Sequence, residues 1–167
     1  MPKSLSDIDP SKGLYRFGFR LPIYLYRMHL GGLLGNRFLM LTTIGRKSGK
    51  PHKTIIEVVS YDKQTREYTI ASGWGVKSDW YRNLRNNPDV LVNVGRREYR
   101  ATAEQLSTSD AEMMLLKYAH NHPLAFRELA RLMSGSSAKN TEETCHLLAQ
   151  DIPIITLHPV LTGDSKP

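Results

Sequence analysis

The apolar and polar positions divide the chain into a β-rich stretch followed by a helical one. "RFLMLTTIG" (37–45) is apolar and β-branched enough for a buried strand. "KTIIEVVSYD" (53–62) reads as the next strand, with "REYTIASG" (66–73) as its hairpin partner across the polar turn "DKQT". "VLVNVG" (90–95) and "REYRATAEQL" (97–106) alternate well and form a second hairpin with Gly95 at its turn. "DIPIITLHP" closes the pattern as a short strand, with Pro153 near its start, where a ladder donor can be spared.

Between the hairpins the period changes. Ser78 or Asp79 can cap a helix in which Trp80, Tyr81 and Leu84 are neighbours at three- and four-residue spacing, and Pro88 stops it. After Ser107 the chain turns helical. Ser109 with Glu112 has the spacing of a capping box, and Ala111, Met114, Leu115 and Tyr118 share a face. Pro123 breaks that run, a second helix is expected over about 124–133, and "TEETCHLL" gives one or two further turns. At the front, 1–13 reads as a flexible arm and Pro22 opens a short helix over 22–30, while 161–167 is a tail. Strands joined by short turns imply an antiparallel sheet, and about six of them remove their edges by closing into a small barrel. The fold class is therefore α+β: a six-stranded antiparallel split β-barrel with helices around it, forming one domain over 14–160.

Composition narrows the chemistry. The chain has 167 residues and one cysteine, so no disulfide can form within it and a cysteine-based metal site is not expected. No apolar run approaches the ~20 residues that span a bilayer, and the polar N-terminus lacks the apolar core of a signal peptide. A cytoplasmic protein is the expectation. The formal charge of +7 favours an anionic partner. Nucleic acid is not the reading, because the cations are scattered and lack an exposed aromatic platform.

The cations concentrate once, in "LTTIGRKSGKPHK" (41–53). Gly45 and Gly49 enclose three residues rather than four, so this is no P-loop. Glycine-bearing backbone can still turn consecutive N–H groups to one side as an anion nest, with Arg46 as a planar fork, Lys47 as a point charge and Ser48 as a hydroxyl. A solvated basic loop would read the same way. Ser72 and Gly73 end a strand where backbone can approach a flat ligand, and Lys77 leads into a helix N-terminus, itself an anion site. Trp80 and Tyr81 read equally as core.

Taken together, "LTTIGRKSGKPHKTIIEVV", "YTIASGWGVKSDWYRNLRNNPDVLVNVG" and "IPIITLHP" resemble the deazaflavin-dependent nitroreductase family of split-barrel oxidoreductases, over about 36–106 and the last strand. The resemblance implies hydride transfer from a reduced 8-hydroxy-5-deazaflavin coenzyme (factor 420) to an electron-poor quinone-, enone- or nitro-type acceptor. FMN is the alternative cofactor, and a non-catalytic cofactor- or lipid-binding barrel the alternative function. It implies cofactor contacts at Thr43, Gly45, Arg46, Lys47, Ser48, Gly49, Lys53, Ser72, Gly73, Lys77, Trp80 and Tyr81. Where the family often carries an arginine shortly after the loop, this chain reads His52-Lys53. Tyr118 is the candidate proton donor to the acceptor, with a core tyrosine as its other reading. A homodimer is implied by resemblance only. Aromatic and basic residues interleave over 14–30, a pattern suited to a peripheral membrane contact or to a helix across the barrel mouth.

Overall fold

The computed structural model describes residues 36–73, 75–124, 126–127, 130 and 141–160. Six strands close into one antiparallel barrel: β1 (Phe38–Ile44), β2 (Pro51–Tyr61), β3 (Tyr68–Ala71), β4 (Asp89–Val94), β5 (Arg97–Gln105) and β6 (Ile154–Pro159), in the spatial order β1-β2-β3-β6-β5-β4. The last strand is thus inserted between β3 and β5, and no edge is left to template pairing.

Period-two alternation decides which face each side chain takes. Leu39 and Leu41 on β1, Val90, Val92 and Val94 on β4, and Ile155 and Leu157 on β6 fill the interior with Ile56, Tyr68 and Ile70. A short helix, α1 (Asp79–Asn86), sends Tyr81 and Leu84 into this core and so caps one end of the barrel. A second core lies outside the barrel. There α2 (Thr108–Asn121) and α3 (Thr141–Asp151) pack Ala111, Leu115 and Ala119 against Cys145, Leu148 and Ala149, over Ile154 of β6.

Several boundaries differ from the sequence reading. β2 starts at Pro51, because Ile44 pairs with Pro51 and the ladder continues to the base of the loop. β3 starts at Tyr68, because Arg66 holds a left-handed φ of 62° that no strand accommodates. Asp62 organises that turn by accepting from the amides of Gln64 (2.7 Å) and Thr65 (3.3 Å).

The cap of α2 is Ser107, two residues before the expected Ser109: its hydroxyl accepts from the Asp110 amide at 3.2 Å and donates to the Asp110 carboxylate at 2.6 Å. Glu112 is thereby released from capping and binds His146 of α3 at 2.9 Å. α3 runs for 11 residues, longer than its own periodicity promised, because Cys145, Leu148 and Ala149 are buried by α2. The described residues of 123–130 are helical, as expected for their part of 124–133. The expected helix at 22–30, the arm at 1–13 and the tail at 161–167 lie outside the described residues.

Candidate cofactor site

The end of the barrel capped by α1 also carries the β1–β2 loop, 45–50. Its backbone is largely self-satisfied: the Gly45 amide donates to the Lys50 carbonyl at 2.8 Å, and the Gly49 amide to the Gly45 carbonyl at 2.8 Å. Gly49 sits at φ 65°, which only glycine adopts cheaply. The Lys50 amide donates to Ser48 Oγ (3.2 Å), which also meets His52 Nε2 at 3.2 Å. A Cβ on Gly45 would lie 2.6 Å from Ser48 Oγ and 2.7 Å from the His52 ring, so any other residue there would have to displace those side chains. The expected nest is consequently narrower than the glycine pattern implied. The amides of Lys47 and Ser48 are the pair in this turn with no acceptor among the described residues.

Arg46 does not project as a free fork. Its guanidinium reaches the start of α1, bonding Asp79 Oδ1 at 3.0 Å and Asn83 Oδ1 at 3.1 Å. Asn83 is the residue the sequence reading missed. It is buried, its Oδ1 also accepts from the Arg46 amide at 3.1 Å, and its Nδ2 donates to Thr43 Oγ1 at 3.2 Å. One amide side chain thus ties the end of β1, the basic loop and α1 together. The only signal was its place in W-Y-x-N-L: Asn83 is two residues from Tyr81 and one from Leu84, off the face those two share, so apolar periodicity does not mark it.

The remaining expected contacts divide sharply. Lys47, Lys50, Lys53 and Lys77 are all exposed, and among the described residues none has an ion-pair partner. The Arg46–Asp79 pair neutralises the carboxylate at the start of α1, so the four ammonium groups dominate the local field. Thr43 faces the interior and is engaged by Asn83, whereas the neighbouring Thr42 faces outward beside Lys53, its buried Oγ1 lacking a partner. Ser72 is also turned inward: its hydroxyl lies 2.7 Å from both the Gly75 carbonyl and Ser78 Oγ. Ser78 accordingly holds the N-cap position of α1 without a side-chain capping bond. Gly73 is exposed, with open space where a Cβ would point, so no neighbouring protein atom demands glycine there. Tyr81 is core, its hydroxyl donating to Gln105 Oε1 at 2.8 Å, and the half-buried Trp80 meets it edge-on with centroids 6.4 Å apart.

Tyr118 lies elsewhere. It lines a cleft of about 270 Å³ between the far half of β2 (Val58 to Tyr61) and the last turns of α2. Val58 lies five residue steps beyond Lys53, roughly 17 Å of extended strand. The loop and the cleft are therefore two places along one strand. Burial raises the Tyr118 phenol above its ordinary value, Glu57 adds to the rise, and Arg37 partly offsets it. The hydroxyl remains a neutral donor at physiological pH.

The closed six-stranded antiparallel barrel is of the split-barrel class. The solved structure of an F420-H2 dependent reductase (FDR-A) superposes with a TM-score of 0.51 at 20% identity, covering 74% of this chain and 96% of that one. A pyridoxamine 5′-phosphate oxidase-related, FMN binding protein from Nostoc punctiforme PCC 73102 gives 0.52 at 13% identity, over 91% and 83% of the two chains. These likenesses establish the fold.

The family follows from sequence. Residues 22–130 match the model of the F420H(2)-dependent quinone reductase family, and the chain belongs to it. It is similar to the F420H(2)-dependent quinone reductase Rv1261c of Mycobacterium tuberculosis (strain ATCC 25618 / H37Rv), with 30% identity over 120 residues, 63% of this chain and 76% of the relative. A relative with the same description from strain CDC 1551 / Oshkosh matches equally. The protein is thus an oxidoreductase of the reduced deazaflavin coenzyme. Family membership decides between two three-ring cofactors, deazaflavin and FMN, that the residues alone left open.

Proposed function

We propose that the loop 45–50 and the start of α1 hold the phosphate-bearing side chain of the reduced deazaflavin coenzyme, and that the acceptor is a quinone. The observation that carries this reading is the pairing of the unused Lys47 and Ser48 amides with uncompensated Lys47, Lys50 and Lys77. Two unpaired N–H groups and several ammonium groups suit a phosphate and an acidic tail. Lys53, exposed on β2, extends this polar track along the strand.

When bound, the coenzyme supplies the hydride, and the chain's residues bind, orient and shield. Asn83 and Arg46 are positioning residues, since they fix the loop on the helix and spend their own polar groups doing so. Tyr118 offers its phenolic O–H to a carbonyl oxygen in the cleft, where its raised pKa keeps the proton in place until charge develops on that oxygen. Quinone as the acceptor rests on the family and its relatives. A homodimer remains part of the proposal by resemblance, and a membrane contact through 14–30 by the interleaved aromatic and basic residues of that segment. Among the described residues, no helix is long and apolar enough to cross a membrane.

The test is a titration of cofactor-free protein with the deazaflavin coenzyme and with FMN, followed by fluorescence, then turnover with a naphthoquinone. The proposal requires saturable binding of the deazaflavin in preference to FMN and oxidation of the reduced coenzyme that depends on the quinone. Equal, weak binding of both would overturn it.

A further inference from the structure

The charge around the β2–α2 cleft says more about the acceptor than its being a quinone. The cleft holds about 270 Å³, below the usual range for drug-sized ligands, and so suits one or two fused rings. One wall is aromatic: the Tyr118 and His122 rings lie 5.1 Å apart, tilted by 44°. Val58 and Val59 supply apolar surface from the strand.

The polar lining is one-sided. Lys117 brings an exposed ammonium with no ion-pair partner among the described residues. No carboxylate occurs among the described residues that line the cleft. The nearest one coupled to Tyr118, Glu57, is turned to Arg37 at 3.4 Å. Asn121 and Tyr118 add groups able to donate hydrogen bonds to an oxygen. A neutral ring has no use for an unpaired ammonium at the rim, whereas a ring carrying an oxyanion would complete it.

We propose that this cleft selects a planar acceptor bearing its own negative charge beside the carbonyl, such as an ionised hydroxyquinone, and that Lys117 is the residue that makes the selection. This rests on the reductase reading above, with the cleft as the acceptor site. Lys117 then sets specificity through binding, while Tyr118 hydrogen-bonds the carbonyl in either kind of acceptor.

The experiment is equilibrium binding to cofactor-free protein, so that the coenzyme's acidic tail cannot compete for Lys117. The probes are 2-hydroxy-1,4-naphthoquinone, ionised at neutral pH, and 2-methoxy-1,4-naphthoquinone, which has the same rings and no charge. The hydroxy compound should bind about tenfold tighter, the size of one charge-assisted hydrogen bond. Lys117→Gln should erase that preference and leave methoxy binding unchanged. The preference should also shrink as salt is raised. Equal affinity for the two probes, or a preference that survives Lys117→Gln, would overturn the proposal. Deazaflavin titration of the same preparations separates the two failures. If the coenzyme binds and a neutral quinone is turned over while the charge preference is absent, only this inference falls. If the coenzyme does not bind, the reductase reading falls by itself.

Discussion

Single side chains near the basic loop do different work, and substitution separates them. Lys47 is exposed and unpartnered among the described residues, so Lys47→Ala should weaken deazaflavin binding by about 1–3 kcal/mol and leave the melting temperature where it was. Parallel cofactor and thermal titrations check this, and an unchanged affinity would remove the loop from the site. Asn83 should behave in the opposite order. Asn83→Ala strands Thr43 Oγ1, the Arg46 amide and part of the Arg46 guanidinium, so stability should fall by about 1–3 kcal/mol, with cofactor affinity falling through the displaced loop. Urea unfolding reads the first effect. Arg46→Ala belongs with Asn83, because the bonds of its guanidinium all run to α1. The chain alone made Arg46 a ligand group; only the folded contact with Asp79 and Asn83 reveals a tether. The lone cysteine takes no part: burial, then Glu112, pushes the Cys145 thiol up to about 11, which keeps it protonated and unreactive.

At the scale of elements, the loop 45–50 is held in shape by contacts as much as by glycine. Gly45→Ala should distort it, since the added carbon meets the His52 ring at 2.7 Å. Combining it with His52→Ala should recover part of the lost cofactor affinity, and failure to recover any would mean that Ser48 Oγ, at 2.6 Å, is the harder obstacle. Strand identities were legible because alternation along β4 reports a two-sided surface, while the apolar runs of β1 and β6 report strands buried over most of their length. Their ends were not. The start of β3 depends on the backbone of Arg66, and the cap of α2 on which serine first meets a free amide. The length of α3 came from burial against α2, a long-range contact that local periodicity does not encode.

For the whole molecule, barrel closure depends on the last strand reaching between β3 and β5. His158 of β6 clips all three segments there: Nδ1 lies 2.8 Å from Glu67 Oε1 and Nε2 lies 2.9 Å from Glu104 Oε2. The hydrogen bond to Glu67 raises the His158 pKa above 6.5, with burial opposing it and Glu104 helping. A folded value above the unfolded one means the protonated form is favoured by folding. The contribution is complete below about 6.5 and is lost as pH rises through the raised value. Wild-type stability should therefore decline across that window relative to His158→Gln, modestly, because the group is more than a third exposed and screened. Denaturant midpoints measured at several pH values check the sign. Identical pH profiles would mean that the clip is electrostatically idle.

From residue order alone came the strand alternation, the antiparallel barrel, the clustering of cations at 46–53 and the likeness that carries the cofactor. Each depends on local spacing or on a contiguous motif, which a linear string preserves. Tertiary structure alone decided which polar groups were still available. Thr43 and Ser72 proved to face inward, Arg46 and Asn83 to be spent on each other, and Lys47 and Ser48 to keep their amides. It also separated Tyr118 from the loop along β2. Availability depends on where distant segments meet, and a hydrogen-bond group already used by the fold has nothing left to offer a ligand.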